Sequence, residues 1–401
     1  DQPSGVGAVA LRPHFGNPFP CPFGDQTSTD RPKRFHALRM PDTSRRHFLE
    51  RSSLFAGAVV TFPNIATGKK NGGPVIIGER DYQYEVDHNF AKLPDKFSWQ
   101  TTHNVAIDAE QNLYVMHEGR PNQKDHPSIF VFDPVGKFIR AFGSQFQGGG
   151  HGIEVRTEGK EQFLYITAYQ NVKSFAKLTL AGDIVWYQRA PMGSGRYAEG
   201  EDTTTKRDWG RNKFMPTNTA FHPTDGSIYL ADGYGAHCVH HYDDTGKYLS
   251  TIGKPGKNDG EFNLPHGLWI DSRDPTNPTL CVADRANSRL QWFTLNVEHI
   301  KTLAEPFILP ANVDVHNDLM LVPDLSARLT LLDKNDKVIH LANDDNWRKQ
   351  VTANRNKLRS QPHKWVDGKF IHPHDACFDN EGNIFVAEWV STGRVTRLKK
   401  I

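Results

Sequence analysis

Six short stretches of the chain share one hydrophobic pattern: HNVAID from His103, HGIEVR from His151, TNTAFH from Thr217, HGLWID from His266, ANVDVH from Ala311 and HDACFD from His374. Apolar and other residues alternate in each, the period of a strand with one buried face. A turn and a second strand follow in every copy: NLYVMH at 112, FLYITA at 163, SIYLAD at 227, TLCVAD at 279, DLMLVP at 318 and NIFVAE at 383. Third strands such as SIFVFD at 128 and CVHHYD at 238 come next, then fourth strands such as FIRAFG at 138, YLSTIG at 248 and HIKTLA at 299. Four short strands repeated six times predict an all-β fold, a six-bladed β-propeller over residues 80–401. Helical periodicity is almost absent; a short helix is expected only within 343–359.

The sixth copy supplies three strands and stops. An open edge invites aggregation, so YQYEVDHNF at 82–90 is expected to add the outer strand and close the ring. The longest spacings, around 190–213 and 343–369, are charged and are expected to loop over one face.

Ahead of the repeats the pattern breaks down. Residues 44–68 place Arg45-Arg46 before Phe48-Leu49 and a short apolar stretch, an arrangement that resembles a twin-arginine export signal. About a dozen apolar residues fall short of the roughly 20 a spanning helix needs, so no membrane span is expected. Residues 40–70 are therefore read as a signal segment, with the mature protein periplasmic or extracellular. Met40 is read as the natural start, and residues 1–39 as a non-native or disordered extension.

Composition narrows the partners. Lys and Arg number 48 against 46 Asp and Glu, which gives no electrostatic reason to expect nucleic acid or an anionic membrane. A small-molecule or peptide ligand and a monomeric state are expected. Cys21, Cys238, Cys281 and Cys377 form no close pair, so neither a metal knuckle nor a disulfide framework is legible.

The histidines carry the chemistry. In a six-bladed ring the starts of the innermost strands face the channel about 60° apart. His151, His266 and His374 begin alternate blades and should converge from three directions. Three neutral imidazoles with an open position are the donor set of a catalytic zinc site. His103 holds the same place in blade one and is read as a channel-lining neighbour. Asp375 follows His374 directly; it could orient a neighbouring group, bind a hard cation such as calcium, or cap local amides.

The phrases LPHGLWID, CVADRANSRLQWF, LADGYGAHCV and HPHDACFD resemble the NHL-repeat six-bladed propellers, and within them peptidyl-α-hydroxyglycine α-amidating lyase. The resemblance covers roughly residues 82–401. It implies zinc on His151, His266 and His374, and catalytic roles for Tyr234 and Arg285. It also implies a structural calcium at Asp375 and the backbone of Ile153. The implied reaction cleaves the C–N bond of an α-hydroxyglycine substrate to an amide and glyoxylate, with Tyr234 as base.

This chain departs from the family in three places. Where the family carries an Arg suited to the substrate carboxylate, this sequence reads MHEGR, so Glu118, Arg120 and His103 become the substrate-binding candidates. His372 replaces a methionine. Two family disulfides fall on Phe214 with Gly235 and Cys281 with Trp292, and cannot form. A different class of function fits the same scaffold: a non-catalytic NHL propeller that binds a peptide, glycan or protein, with a structural metal. A lactonase-like hydrolase is a third, although such sites favour carboxylates over histidines.

Overall fold

The computed structural model describes residues 73–353 and 356–401. The segments read as an extension (1–39) and an export signal (40–70), with Met40 and Arg45-Arg46, lie outside the described residues. Among those described there is one α-helix, Asp345–Thr352, and the rest of the regular structure is strand and short 3-10 turns.

The strands form six antiparallel sheets, each a blade, in simple sequence order. The first strands, which face the axis, are Thr102–Ile107, Gly150–Glu158, Thr219–Phe221, Pro265–Asp271, Asp314–His316 and Pro373–Phe378. Blade six is built from both ends of the chain: Tyr82–Asp87 pairs with Val395–Lys400, Val86 opposite Leu398, as the missing outer strand required. Ile76–Glu79 adds a fifth strand outside it.

One apolar cluster sits between each pair of neighbouring blades, because each sheet is apolar on both faces and must cover both. Ile153, Leu164 and Ile166 of blade two meet Tyr114, Met116 and Ile129 of blade one. Val282 and Leu268 of blade four meet Tyr229 and Val239 of blade three. Across the closing seam, Phe385 and Ala387 meet Val105 and Val115. Cys281 and Trp292, where the resemblance implies a bridge that cannot form, are cross-strand partners; the buried Trp292 is held by its indole N–H on Asp271 Oδ2 (2.8 Å).

The two insertions are fastened differently. In 190–213, the fully buried Lys173 ammonium of blade two binds Glu201 (2.6 Å) and Asp208 (2.9 Å). In 343–369, Asp344 caps the helix by accepting the Trp347 N–H, and Trp347 and Val351 pack on Ile371 and Val390. The helix expected in that insertion is thus present.

Candidate metal centre

The first strands of blades one, two, four and six share a local fault. Their registers jump between Thr102 and Asn104, Gly150 and Gly152, Pro265 and Leu268, and Pro373 and Asp375. The extra residue is His103, His151 and His374 in three of them, and lies within His266-Gly267 in the fourth. A bulge of this kind bends the strand and re-aims a side chain. Blades three and five shift in the same way ahead of Thr219 and Asp314, where Thr217 and Asn218 both bond Ala231 and the Pro310–Asp324 bridge gives way to Asp314 opposite Leu321; the residue turned there is Thr217 or Ala311 and brings no imidazole.

The imidazoles meet at the axis. Ring centroids of His151, His266 and His374 lie 4.7 to 5.0 Å apart. Each is buried, and each uses Nδ1 in the same way: His151 donates to the Thr217 carbonyl (2.8 Å), His266 to Ala311 (2.6 Å) and His374 to His103 (2.7 Å). The acceptors are the equivalent starts of blades three, five and one. A carbonyl can only accept, so the proton is on Nδ1 and the Nε2 lone pair faces the axis.

His-Gly spacing has a steric reason here. A Cβ on Gly267 would stand 2.7 Å from the Ala311 carbonyl oxygen and 2.1 Å from Asn312 Oδ1; one on Gly152 would stand 2.6 Å from the Thr217 oxygen. Glycine after the histidine lets the accepting carbonyl approach.

These lone pairs fit a cation. The Nε2 atoms of His151 and His266 are 3.1 Å apart, and His374 Nε2 is buried without a partner. Two unprotonated nitrogens that close repel unless something positive lies between them. Ligands about 2.0–2.1 Å from a tetrahedral zinc are about 3.3 Å from each other, close to the observed separation. Burial pushes the His151 imidazole down to about 3 and those of His266 and His374 well below the usual value, with neighbouring charges adding to the effect. Neutral, ligand-competent imidazoles result.

His103 is nearer the centre than a bystander. Its ring stacks on His151 at 5.0 Å and meets His374 edge-on at 4.5 Å, and its Nδ1 has no hydrogen-bond partner. Ligand atoms of His103, His151 and His374 lie within 4.8 Å of one another, and His266 joins them through its Nε2, 3.1 Å from that of His151, so four histidines cluster at the axis.

A second group with metal-ligand spacing, Asp232, Cys238 and His240, is already satisfied. Asp232 takes the N–H groups of Met215, Gly235 and Ala236 and the Tyr197 hydroxyl. With His240 Nε2 2.5 Å from the Tyr197 oxygen, this is a network that ties the 190–213 insertion to blade three.

Above the histidines, the residues that end the second strands form a collar. Tyr234 Oη is 3.3 Å from His266 Nε2 and accepts from Arg285 Nη2 at 3.0 Å, so the two catalytic candidates meet. Tyr169 stacks on Tyr234 at 5.1 Å. The Glu118 carboxylate accepts from Tyr169 Oη (3.1 Å) and Gln170 Nε2 (2.5 Å), and burial raises its pKa. Arg120 is not brought in: it is exposed, its backbone N–H binds Gln147, and its side chain makes no hydrogen bond or ion pair among the described residues. His372 is buried against Trp389, its Nδ1 on the Leu325 carbonyl (2.7 Å). Tyr169 and Gln170 were missed by sequence reasoning. Their signal was positional, since TAYQ ends the second strand of blade two as LADGY and VADR end those of blades three and four.

Below the histidines lies an acidic layer. Asp375 accepts from the Val105 N–H (2.8 Å) and Asn312 Nδ2 (2.5 Å), and burial raises its carboxyl to about 6. Burial also raises Asp314 to about 7 and Glu154 well above its usual range, the latter further pushed by Asp375 and Asp314. No Lys or Arg among the described residues pairs with any of the three. Ile153 is fully buried beside them, its N–H on Asn104 Oδ1 at 3.2 Å.

No protein-family model matches the chain. Among curated proteins it is similar to peptidyl-glycine alpha-amidating monooxygenase of Mus musculus, 24% identical over 215 residues, and to monooxygenase A of Xenopus laevis, 33% identical over 223. Each match spans 47% of this chain, and 20% and 21% of those longer proteins. It is also similar to human NHL repeat-containing protein 3, 27% identical over 220 residues, 52% of this chain and 56% of that one. Among solved structures, a streptogramin B lyase superposes with TM-score 0.50 at 11% identity, covering 80% of this chain and 99% of the other. A gluconolactonase of Xanthomonas campestris gives 0.52 at 12%, covering 82% and 95%. These two establish the fold alone. The chain is a six-bladed β-propeller with sequence relatives among the peptidylglycine amidating monooxygenases and the NHL-repeat proteins.

Proposed function

We propose that this protein is a zinc-dependent lyase that cleaves the C–N bond of an α-hydroxyglycine-ended substrate, giving an amide and glyoxylate. The observation that carries the reading is the axial histidine cluster in which His151, His266 and His374 each have Nδ1 pinned to a carbonyl and Nε2 turned inward, beneath a Tyr234–Arg285 pair. His151, His266 and His374 would hold the zinc, and His103 closes the cluster's fourth side. When bound, zinc supplies Lewis-acid polarisation of the substrate hydroxyl.

The remaining steps belong to the side chains. Tyr234 Oη lies beside the ligand nitrogen of His266, in reach of a hydroxyl held there, and takes its proton. Arg285 at 3.0 Å favours the phenolate form in which Tyr234 acts as that base. As the O–H electrons become the aldehyde C=O, the C–N bond breaks, and the proton on Tyr234 passes to the leaving nitrogen. Atoms balance without water. Tyr169 and Tyr234 wall the site and limit solvent.

A second ion, calcium, suits the acidic layer beneath, with Asp375 and the backbone of Ile153 among its ligands. Three buried carboxyls without a cationic partner support it. The twin-arginine-like residues 44–68 support a periplasmic or extracellular setting. No helix among the described residues is long and apolar enough to cross a membrane.

Metal analysis together with glyoxylate release from α-hydroxyhippurate tests the reading. One zinc per chain with turnover, and a Tyr234→Phe variant that keeps zinc but loses about 10²–10⁴-fold in kcat, is expected. Stoichiometric zinc without turnover would leave the non-catalytic binding propeller.

A further inference from the structure

An α-hydroxyglycine substrate ends in a carboxylate, and this chain has Glu118 where its resembled family has an arginine. Three other cations near Glu118 are placed elsewhere, Arg207 among them over the Trp209 ring at 6.0 Å. Arg285 is engaged on Tyr234, and Arg120 is exposed outside the collar. The 343–369 insertion supplies a fourth. Its turn Lys357–Ser360 carries Arg359, which is fixed at three points. The Nε–H donates to the Trp389 carbonyl (3.2 Å), the guanidinium lies over the Trp389 indole at 3.3 Å, and the Arg359 carbonyl accepts the Ser391 N–H (3.1 Å). Its two terminal nitrogens have no hydrogen bond or ion pair among the described residues.

The groups that feel its charge place the guanidinium near the collar. They are Glu118 and Tyr169 of the collar, together with His103 and His372. Glu118 and Tyr169 belong to the collar, His103 to the histidine cluster beneath it, and His372 packs on Trp389. Trp389 ends the second strand of blade six as Arg285 ends that of blade four, so Arg359 sits on the collar's blade-six side, beside blade one. Burial favours the protonated form of Glu118, which weakens its repulsion of an incoming anion.

We propose that Arg359, held on Trp389 by the insertion between blades five and six, is the residue that grips the substrate carboxylate. This rests on the lyase reading for the identity of the substrate, though not for the presence of an anion site. A planar fork with both terminal nitrogens open is the geometry that binds a carboxylate bidentately. Arg359 is then a specificity-determining residue, set across the mouth from the Tyr234–Arg285 pair that handles the proton.

The test uses zinc-loaded protein, α-hydroxyhippurate and its methyl ester as substrates, and hippurate and hippuramide as unreactive ligands measured by calorimetry. Arg359→Gln is expected to raise KM for the acid about 10- to 100-fold while kcat stays within about threefold and the ester is unaffected. Hippurate affinity falls by the same factor, Arg359→Lys recovers part of it, and zinc content is unchanged. Unaltered KM and hippurate binding in Arg359→Gln would overturn the assignment while leaving the lyase reading in place. Loss of hippurate binding in a protein that never turns over α-hydroxyhippurate would do the reverse. Should the variant not fold, the wild type still decides: hippurate that binds no better than hippuramide overturns the proposal.

Discussion

In blade four the shifted start of the first strand turns His266 inward; in blade five the equivalent shifted start holds Ala311, which offers only a carbonyl oxygen. The same contrast holds between blades two and three. Two copies of one repeat thus divide the work. Even blades supply an imidazole, and the blade that follows supplies the acceptor that fixes its tautomer. The alternation extends one residue further, with Asn104, Asn218 and Asn312 in odd blades against Gly152, Gly267 and Asp375 in even ones. Blade one does both, its His103 ring packing in the cluster while its carbonyl serves His374. The lesson is that a threefold donor set can be written on a sixfold scaffold by making neighbours unequal.

Removing an even-blade ring should break this most severely. His266→Ala is expected to empty the zinc site and lower glyoxylate release by more than the roughly 10–100-fold typical of an outer-shell change, read by metal analysis and steady-state kinetics. Gly267→Ala attacks the neighbour's approach instead. Its Cβ cannot share space with the Ala311 oxygen, so about 1–3 kcal/mol of stability and about 10–100-fold in zinc affinity are expected to go, measured by denaturation and chelator competition.

Acid should act on the even-blade rings more gently. The folded state holds His151 neutral down to about 3, whereas an unfolded histidine takes its proton near 6.5. Stability from this source is complete above 6.5 and is lost as pH falls towards 3. Asp375 and Asp314, raised to about 6 and about 7, act oppositely, losing stability as pH rises. Glu154, raised well above its usual range, acts in the same sense, and the four clustered histidines outnumber these three carboxyls, so metal-free protein at pH 5 is expected to unfold at lower denaturant than at pH 7. The smallest change should come from the odd blade: Ala311→Gly keeps the carbonyl, so zinc stoichiometry holds and stability drops by only about 0.5–1 kcal/mol.

Much of this was legible beforehand because strand periodicity and the repeated start phrases are local signals. The six blades, the closing strand at Tyr82 and the convergence of His151, His266 and His374 followed from counting positions. What the sequence hid was anything that depends on three-dimensional proximity between unlike segments. Arg359 lies in an insertion with no repeat to align it, and Glu154 and Asp314 look like ordinary strand residues until the channel removes their water. The bulges escaped too, since one extra residue leaves the alternation of HGLWID intact and shows only in its pairing with VAD.

The closing blade ties the histidine cluster to the seam between blades six and one. His374 donates to the carbonyl of His103, and Asp375 accepts from Val105, so one arm of the histidine cluster spans the joint between the last blade and the first. Until Val395–Lys400 is made and docks beside Tyr82–Asp87, that joint has no outer support. The histidine cluster and the seam that closes the ring thus share their hydrogen bonds, and a metal held there would act as a rivet between the first blade and the last.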